Sequence, residues 1–174
     1  LIRWHESKNH KVLVYCDRTL PIEIIARELM IPFINKNTSE EERRIILSQF
    51  TKPNGLCRTL IVSKIGDNSI DLPDANVLIE ISVLNSSRTQ EAQRLGRILR
   101  PKANMVNRAY SYVSRSSTAS TPDAYFYTLL SGDTNEIVFS ETRRDFLLKQ
   151  GYEYTNARSL VKRALTSKEF DLKF

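Results

Sequence analysis

One octapeptide of this 174-residue chain concentrates groups able to handle phosphate: Gln93-Arg94-Leu95-Gly96-Arg97-Ile98-Leu99-Arg100. On a helix at about 100° per residue, Gln93, Gly96, Arg97 and Arg100 fall within an arc of about 100°. Ala92, Leu95, Ile98 and Leu99 cover the opposite side, which reads as core. The polar arc sets an amide and two guanidiniums around a glycine. A glycine inside a helix costs about 1 kcal/mol relative to alanine, and close approach of another chain or a ligand is a good reason to keep one. Planar guanidinium forks pair with phosphate oxygens, so a polyphosphate suits the arc. A salt-bridged surface helix with an incidental glycine is the bland alternative.

Charge supports an acidic partner. The formal net charge is +6, and it is unevenly spread. Between Arg88 and Arg108 there are six basic residues against Glu91 alone, and from Arg143 to the end there are eight basic residues against four acidic ones. Nucleic acid is the expected partner before membrane. No window approaches 18 uncharged apolar residues, so no transmembrane helix is expected. With 41% apolar and 26% charged residues, the composition excludes a disordered tail or a fibrous repeat. Cys16 and Cys57 are expected to be buried free thiols, and with His5 and His10 they have no metal-ligand spacing. The start, Leu1 to Glu6, has the character of a helix interior and no signal peptide, so the chain is expected to be a piece of a longer protein.

The elements that must position these groups alternate. Val12 to Tyr15, Leu60 to Val62 and Val77 to Ile81 are short, nearly continuous, β-branched runs, the pattern of a parallel sheet covered on both faces. A helix carries Ile22, Ile25, Ala26, Leu29 and Met30 on its apolar face, with Pro21 in the first turn. Ser39 to Glu42 is a capping box opening a helix with Ile46, Leu47 and Phe50, and a second box at Ser87 to Gln90 opens the helix of the octapeptide. Ala109 to Val113 and Ala124 to Leu130 suggest a hairpin around the Ser/Thr-rich stretch 114–122. Asp133 to Glu136 cap a further helix to Gln150, stopped by Gly151. The expectation is a three-layer α/β domain with a mostly parallel central sheet, followed by a basic amphipathic extension, 156–174.

The octapeptide resembles motif VI of superfamily 2 helicases, Q-R-x-G-R-x-x-R, and other segments agree with that family in order and spacing. Lys11 to Asp17 resembles motif IV. Thr38-Ser39 with Arg43 and Phe50 resembles the helix that follows it, and Ile61 to Pro73 resembles motif V. Here motif V departs from the common form, with Asn68-Ser69 in place of an Arg-Gly pair and Gly66-Asp67 upstream. That departure, together with Ser86-Ser87-Arg88 before the octapeptide and Phe126 to Glu136 after it, narrows the resemblance to the XPB family of DNA translocases.

The resemblance covers residues 1–155 and implies that they form a RecA-like α/β domain, the second of a helicase, and it implies roles. Arg100 would be the arginine finger of the ATP site, with Arg97 beside it and Gln93 and Gly96 on the same nucleotide-facing arc. Asp71 would hydrogen-bond the ribose, while Ser63, Lys64 and Gly66 would touch the nucleic-acid backbone. It also implies ATP with Mg²⁺ as cofactor, DNA without sequence specificity, an N-terminal RecA-like domain of the same chain and other subunits of transcription factor IIH as partners, and the nucleus as location. No G-x-x-x-x-G-K-[ST] occurs, none of the five glycines precedes a lysine, and no D-E-x-[DH] appears. ATP hydrolysis by a P-loop enzyme needs that cradle and an acid on Mg²⁺. The chain alone is therefore expected to turn over no ATP. A non-catalytic α/β docking module with a basic surface, or another superfamily 2 motor such as a chromatin remodeller, are the alternatives.

Overall fold

In the computed structural model the described residues are 1–52, 55–63, 75–81, 124–131, 134–149 and 154–157. They form two compact units, Leu1–Ile137 and Val138–Phe174.

The first unit is organised by a five-stranded sheet. Its strands are β1 (Val12–Cys16), β2 (Phe33–Ile34), β3 (Thr59–Val62), β4 (Val77–Ile81) and β5 (Tyr125–Leu129), in the spatial order β2-β3-β1-β4-β5. Every pair is parallel, with Leu13 opposite both Leu60 and Leu78 and Tyr15 opposite both Val62 and Glu80. All residues of β1 and β3 are buried, so neither face of the central strands meets water. That is why their sequences show no period-2 alternation. The fold is the mostly parallel α/β sheet expected.

Helices α1 (Ile2–Ser7), α2 (Thr19–Leu29), α3 (Glu40–Thr51) and α4 (Glu136–Lys149) complete the described elements. Ile22 and Ala26 of α2 pack with Val12, Val14, Cys16, Ile61, Val77 and Ile79 in one core cluster. The Ser39 side chain caps α3, its hydroxyl accepting from the Glu42 amide at 3.2 Å. In α4 the capping is more compact. Thr134 Oγ1 accepts from the Glu136 amide at 3.3 Å, and the buried Glu136 carboxylate accepts from the Ser131 amide at 2.8 Å. Among the described residues no helix is long and apolar enough to cross a membrane.

Two expectations need correction. Met30 is not on the apolar face of α2; it is the C-cap, in the left-handed conformation (φ 55°, ψ 45°), and 89% exposed. Cys57 is only half-buried, in the loop before β3, whereas Cys16 is buried; both are free thiols, each held above its usual pKa by burial. The strand expected within 124–130 is β5 (Tyr125–Leu129), the parallel neighbour of β4, and its expected hairpin partner, 109–113, lies outside the described residues. The two-residue β2 had no sequence signature at all.

Two backbone positions explain local sequence choices. A Cβ on Gly55 would stand 2.8 Å from the Gln49 carbonyl oxygen, so only glycine lets the chain leave α3 this closely. Met30 is the opposite case, a branchless but bulky residue where glycine is favoured. Met30→Gly is expected to stabilise the domain by about 1 kcal/mol, seen as a higher urea midpoint at unchanged slope. An unchanged or lower midpoint would contradict this account of the cap.

Candidate nucleic-acid interface

In open parallel sheets, ligands bind outside the carboxyl ends of the strands, where neighbouring connections part. Here the chain leaves β1 towards β2 on one side, while β5 follows β4 on the other, so the parting lies at the adjacent carboxyl ends of β1 and β4. The residues just past three of the strands are polar: Asp17 after β1, Asn35 after β2 and Ser63 after β3. Register makes Ser63 a neighbour of both adjoining strands, since Val62 pairs with Ile34 and with Tyr15.

Ser63 is held by its backbone. Its amide donates to the Ile34 carbonyl at 3.0 Å, which extends the β2–β3 ladder by one residue. Its hydroxyl is buried and has no hydrogen-bond partner among the described residues. Asp17 Oδ1 and Arg43 Nε share that condition. An unpaired buried polar group costs about 1–3 kcal/mol, so such atoms are retained where a function needs them. Of the three, the sequence pointed only to Ser63 as a contact residue. Asp17 and Arg43 fell inside quoted motifs without a role, and only the accounting of buried polar atoms singles them out.

Beside Ser63 the turn into α3 is locked by side chains. Asn35 Oδ1 accepts from the Asn37 amide at 2.8 Å and from the Thr38 hydroxyl at 3.4 Å, while Thr38 Oγ1 accepts from the Asn35 amide at 3.0 Å. Asn and Thr closing such turns are common because their side chains mimic backbone partners. This clasp places Ser39 at the head of α3. Lys11 secures the other end, its Nζ donating to the Thr51 carbonyl at 2.8 Å and lying 5.5 Å from the centre of the Phe50 ring.

Glu80 of β4 is completely buried and stands beside Tyr15 in the register. Of the candidate residues drawn from the sequence, Ser63 alone is described. Lys64, Gly66, Asp71, Gln93, Gly96, Arg97 and Arg100 lie outside the described residues. Among the described residues no three His, Cys, Asp or Glu side chains converge as metal ligands.

Comparison with known proteins bears on the whole chain. A family model described as "ERCC3/RAD25/XPB C-terminal helicase" matches residues 1–173. The general transcription and DNA repair factor IIH helicase/translocase subunit XPB of Danio rerio is 46% identical over 154 residues, which cover 88% of this chain and 18% of that protein. Its Drosophila melanogaster counterpart is 44% identical over the same length and shares. The chain thus spans about a fifth of the relatives it matches. Among solved structures, the C-terminal part of the Fun30 ATPase domain superposes with a TM-score of 0.52 at 20% identity, covering 79% of this chain and 40% of that one. The C-terminal domain of the DEAD-box protein Dbp5 gives a TM-score of 0.53 at 10% identity, covering 78% and 69%. These two likenesses establish the RecA-like helicase fold, and the sequence match establishes the lineage: the chain belongs to the ERCC3/RAD25/XPB C-terminal helicase family.

Proposed function

We propose that this chain is the second RecA-like half of an ATP-dependent DNA translocase of the XPB type, acting in promoter opening and nucleotide excision repair within a nuclear transcription factor IIH. The observation that carries the proposal is the family match over residues 1–173; the buried Ser63 hydroxyl at the carboxyl edge of the sheet, which has no hydrogen-bond partner among the described residues, supports it.

In this reading Ser63, Lys64 and Gly66 hold the backbone of one DNA strand, so the grip is blind to base sequence. Arg97 and Arg100 bring fixed positive charge to the ATP phosphates, with Gln93 and the close approach allowed by Gly96 beside them. Asp71 accepts hydrogen bonds from the ribose hydroxyls. The donor set suits a nucleotide but contains no acidic pair for Mg²⁺, which the first RecA-like half of the longer protein holds together with the phosphate cradle. Cleft closure between the two halves then becomes movement along DNA. Residues 1–155 make the motor half, and the basic segment 156–174 is an extension that adds positive charge.

The 174-residue chain alone is expected to hydrolyse no ATP and to bind DNA weakly, without sequence preference. About three phosphate contacts would give about a fortyfold loss of affinity between about 50 and 200 mM salt. Joined to the N-terminal half, the same chain should show DNA-stimulated ATPase. Turnover by the isolated chain above a blank, salt-independent DNA binding, or a joined protein without ATPase would each defeat the proposal.

A further inference from the structure

A single peptide unit ties Ser63 to the turn beside it. The carbonyl of Ile34, the last residue of β2, accepts from the Ser63 amide at 3.0 Å. The amide of Asn35, on the other side of the same peptide bond, donates to the Thr38 hydroxyl at 3.0 Å. This peptide is trans and planar, so its C=O and N–H point in opposite directions and neither turns without the other. The bond to Thr38 therefore sets the direction in which the Ile34 carbonyl meets Ser63.

Strand pairing alone is a weak hold here. β2 has two residues, Phe33 and Ile34, and stands at one end of the strand order, paired with β3. So short a strand at a sheet edge frays at little cost. Ile34 is buried, but apolar packing is non-directional and leaves the carbonyl to be aimed by hydrogen bonds.

The turn supplies those bonds. Asn35 Oδ1 accepts from the Asn37 amide at 2.8 Å and from the Thr38 hydroxyl at 3.4 Å, and the Thr38 amide donates to the Asn35 carbonyl at 3.2 Å. The Thr38 hydroxyl thus donates to Asn35 and accepts from it, which fixes its proton as well as its oxygen. Asn35 is only 8% exposed, so water competes poorly for these groups.

Ser63 is the first residue beyond β3, where the ladder no longer sets its geometry except through the bond to Ile34. Its buried hydroxyl has no hydrogen-bond partner among the described residues. A hydroxyl that meets a phosphate oxygen must be aimed, because a hydrogen bond weakens steeply as its angle falls towards about 120°. We propose that Asn35 and Thr38 are positioning residues for Ser63: through the Ile34–Asn35 peptide they fix the backbone from which its hydroxyl reaches the DNA. This role deepens the reading of Ser63 as a DNA-backbone contact and rests on it. Asn35 and Thr38 themselves touch no DNA.

The test is a double-mutant cycle on the full-length protein, read as affinity for a labelled DNA duplex without nucleotide. Ser63→Ala is expected to weaken binding about tenfold, the worth of one hydrogen bond to a charged phosphate. Thr38→Val, which keeps the side-chain shape and removes the hydroxyl, should weaken it by about threefold to tenfold. The two together should bind no more weakly than Ser63→Ala alone, because the clasp then has no hydroxyl left to aim. Thr38→Ser keeps the hydroxyl and should bind like the unchanged protein. Asn35→Ser, whose hydroxyl closes such a turn more weakly, should show a smaller loss that also vanishes beside Ser63→Ala. Should Thr38→Val not fold, Asn35→Ser carries the same cycle. Full affinity in the Thr38→Val and Asn35→Ser proteins, with Ser63→Ala weakened, overturns the positioning role and leaves the Ser63 contact standing. Losses that multiply in the double variant overturn it too, since the clasp then acts elsewhere. Full affinity in Ser63→Ala overturns the contact, and the positioning role with it.

Discussion

Arg100→Ala in the full-length protein is expected to lower DNA-stimulated ATP turnover by about 10³ to 10⁵ while leaving the melting temperature close to that of the unchanged protein. An arginine finger acts on charge that develops on the phosphoryl group in flight, and a factor of that size corresponds to about 4–7 kcal/mol of transition-state stabilisation. The helical arithmetic sets Arg100 on the polar arc, opposite Leu95 and Leu99, so its loss costs the fold no more than about 0.5 kcal/mol. DNA binding without nucleotide should also persist, because its contacts are assigned to Ser63, Lys64 and Gly66. A salt-bridged surface helix makes the reverse prediction, a small loss of stability and normal turnover. ATPase and melting of this one variant therefore decide between the two readings, and near-normal turnover defeats the finger assignment.

Phe50→Ala should do the opposite, losing stability by about 3–5 kcal/mol. The Phe50 ring has no exposed surface, it is the one fully buried residue of α3, and the ammonium of Lys11 lies over it. Truncation leaves a cavity and removes the apolar anchor from a helix whose other apolar residues, Ile45, Ile46 and Leu47, are exposed or half-buried. For a domain whose total stability is about 5–15 kcal/mol, that is a large share. The melting temperature should fall by about 6–20 °C at this chain length. Phe50→Leu, which keeps most of the volume, should cost far less. A loss below about 1 kcal/mol in Phe50→Ala would show that α3 is held by something other than this ring, such as the Asn35–Thr38 clasp at its head.

By itself the sequence determined the elements whose signals are local. Strands at Val12 to Tyr15, Leu60 to Val62 and Val77 to Ile81 were legible because a strand covered on both faces is nearly continuously apolar, and the structure extends the first by Cys16 and the second by Thr59. The start of α3 was legible because Ser39 satisfies an amide only three residues away. The family was legible too, since its motifs are short and their spacing survives in one dimension. Tertiary structure decided the rest. Phe33 and Ile34 are a strand only because Ile61 and Val62 lie alongside them, and nothing in two residues can announce a partner nearly thirty positions away. Met30 continues the apolar spacing of α2 yet faces solvent, because the helix ends one residue earlier and the backbone turns left-handed there. That the buried hydroxyl of Ser63 has no hydrogen-bond partner among the described residues can be recognised only in the folded chain. Spacing excluded His5 as a metal ligand and said nothing more of it, yet in the fold it is one end of a buried contact with Tyr127, 122 residues later. Periodicity and capping report the burial and hydrogen bonding of a segment with itself. Register and buried polar contacts belong to pairs of segments, and only the folded chain brings those pairs together.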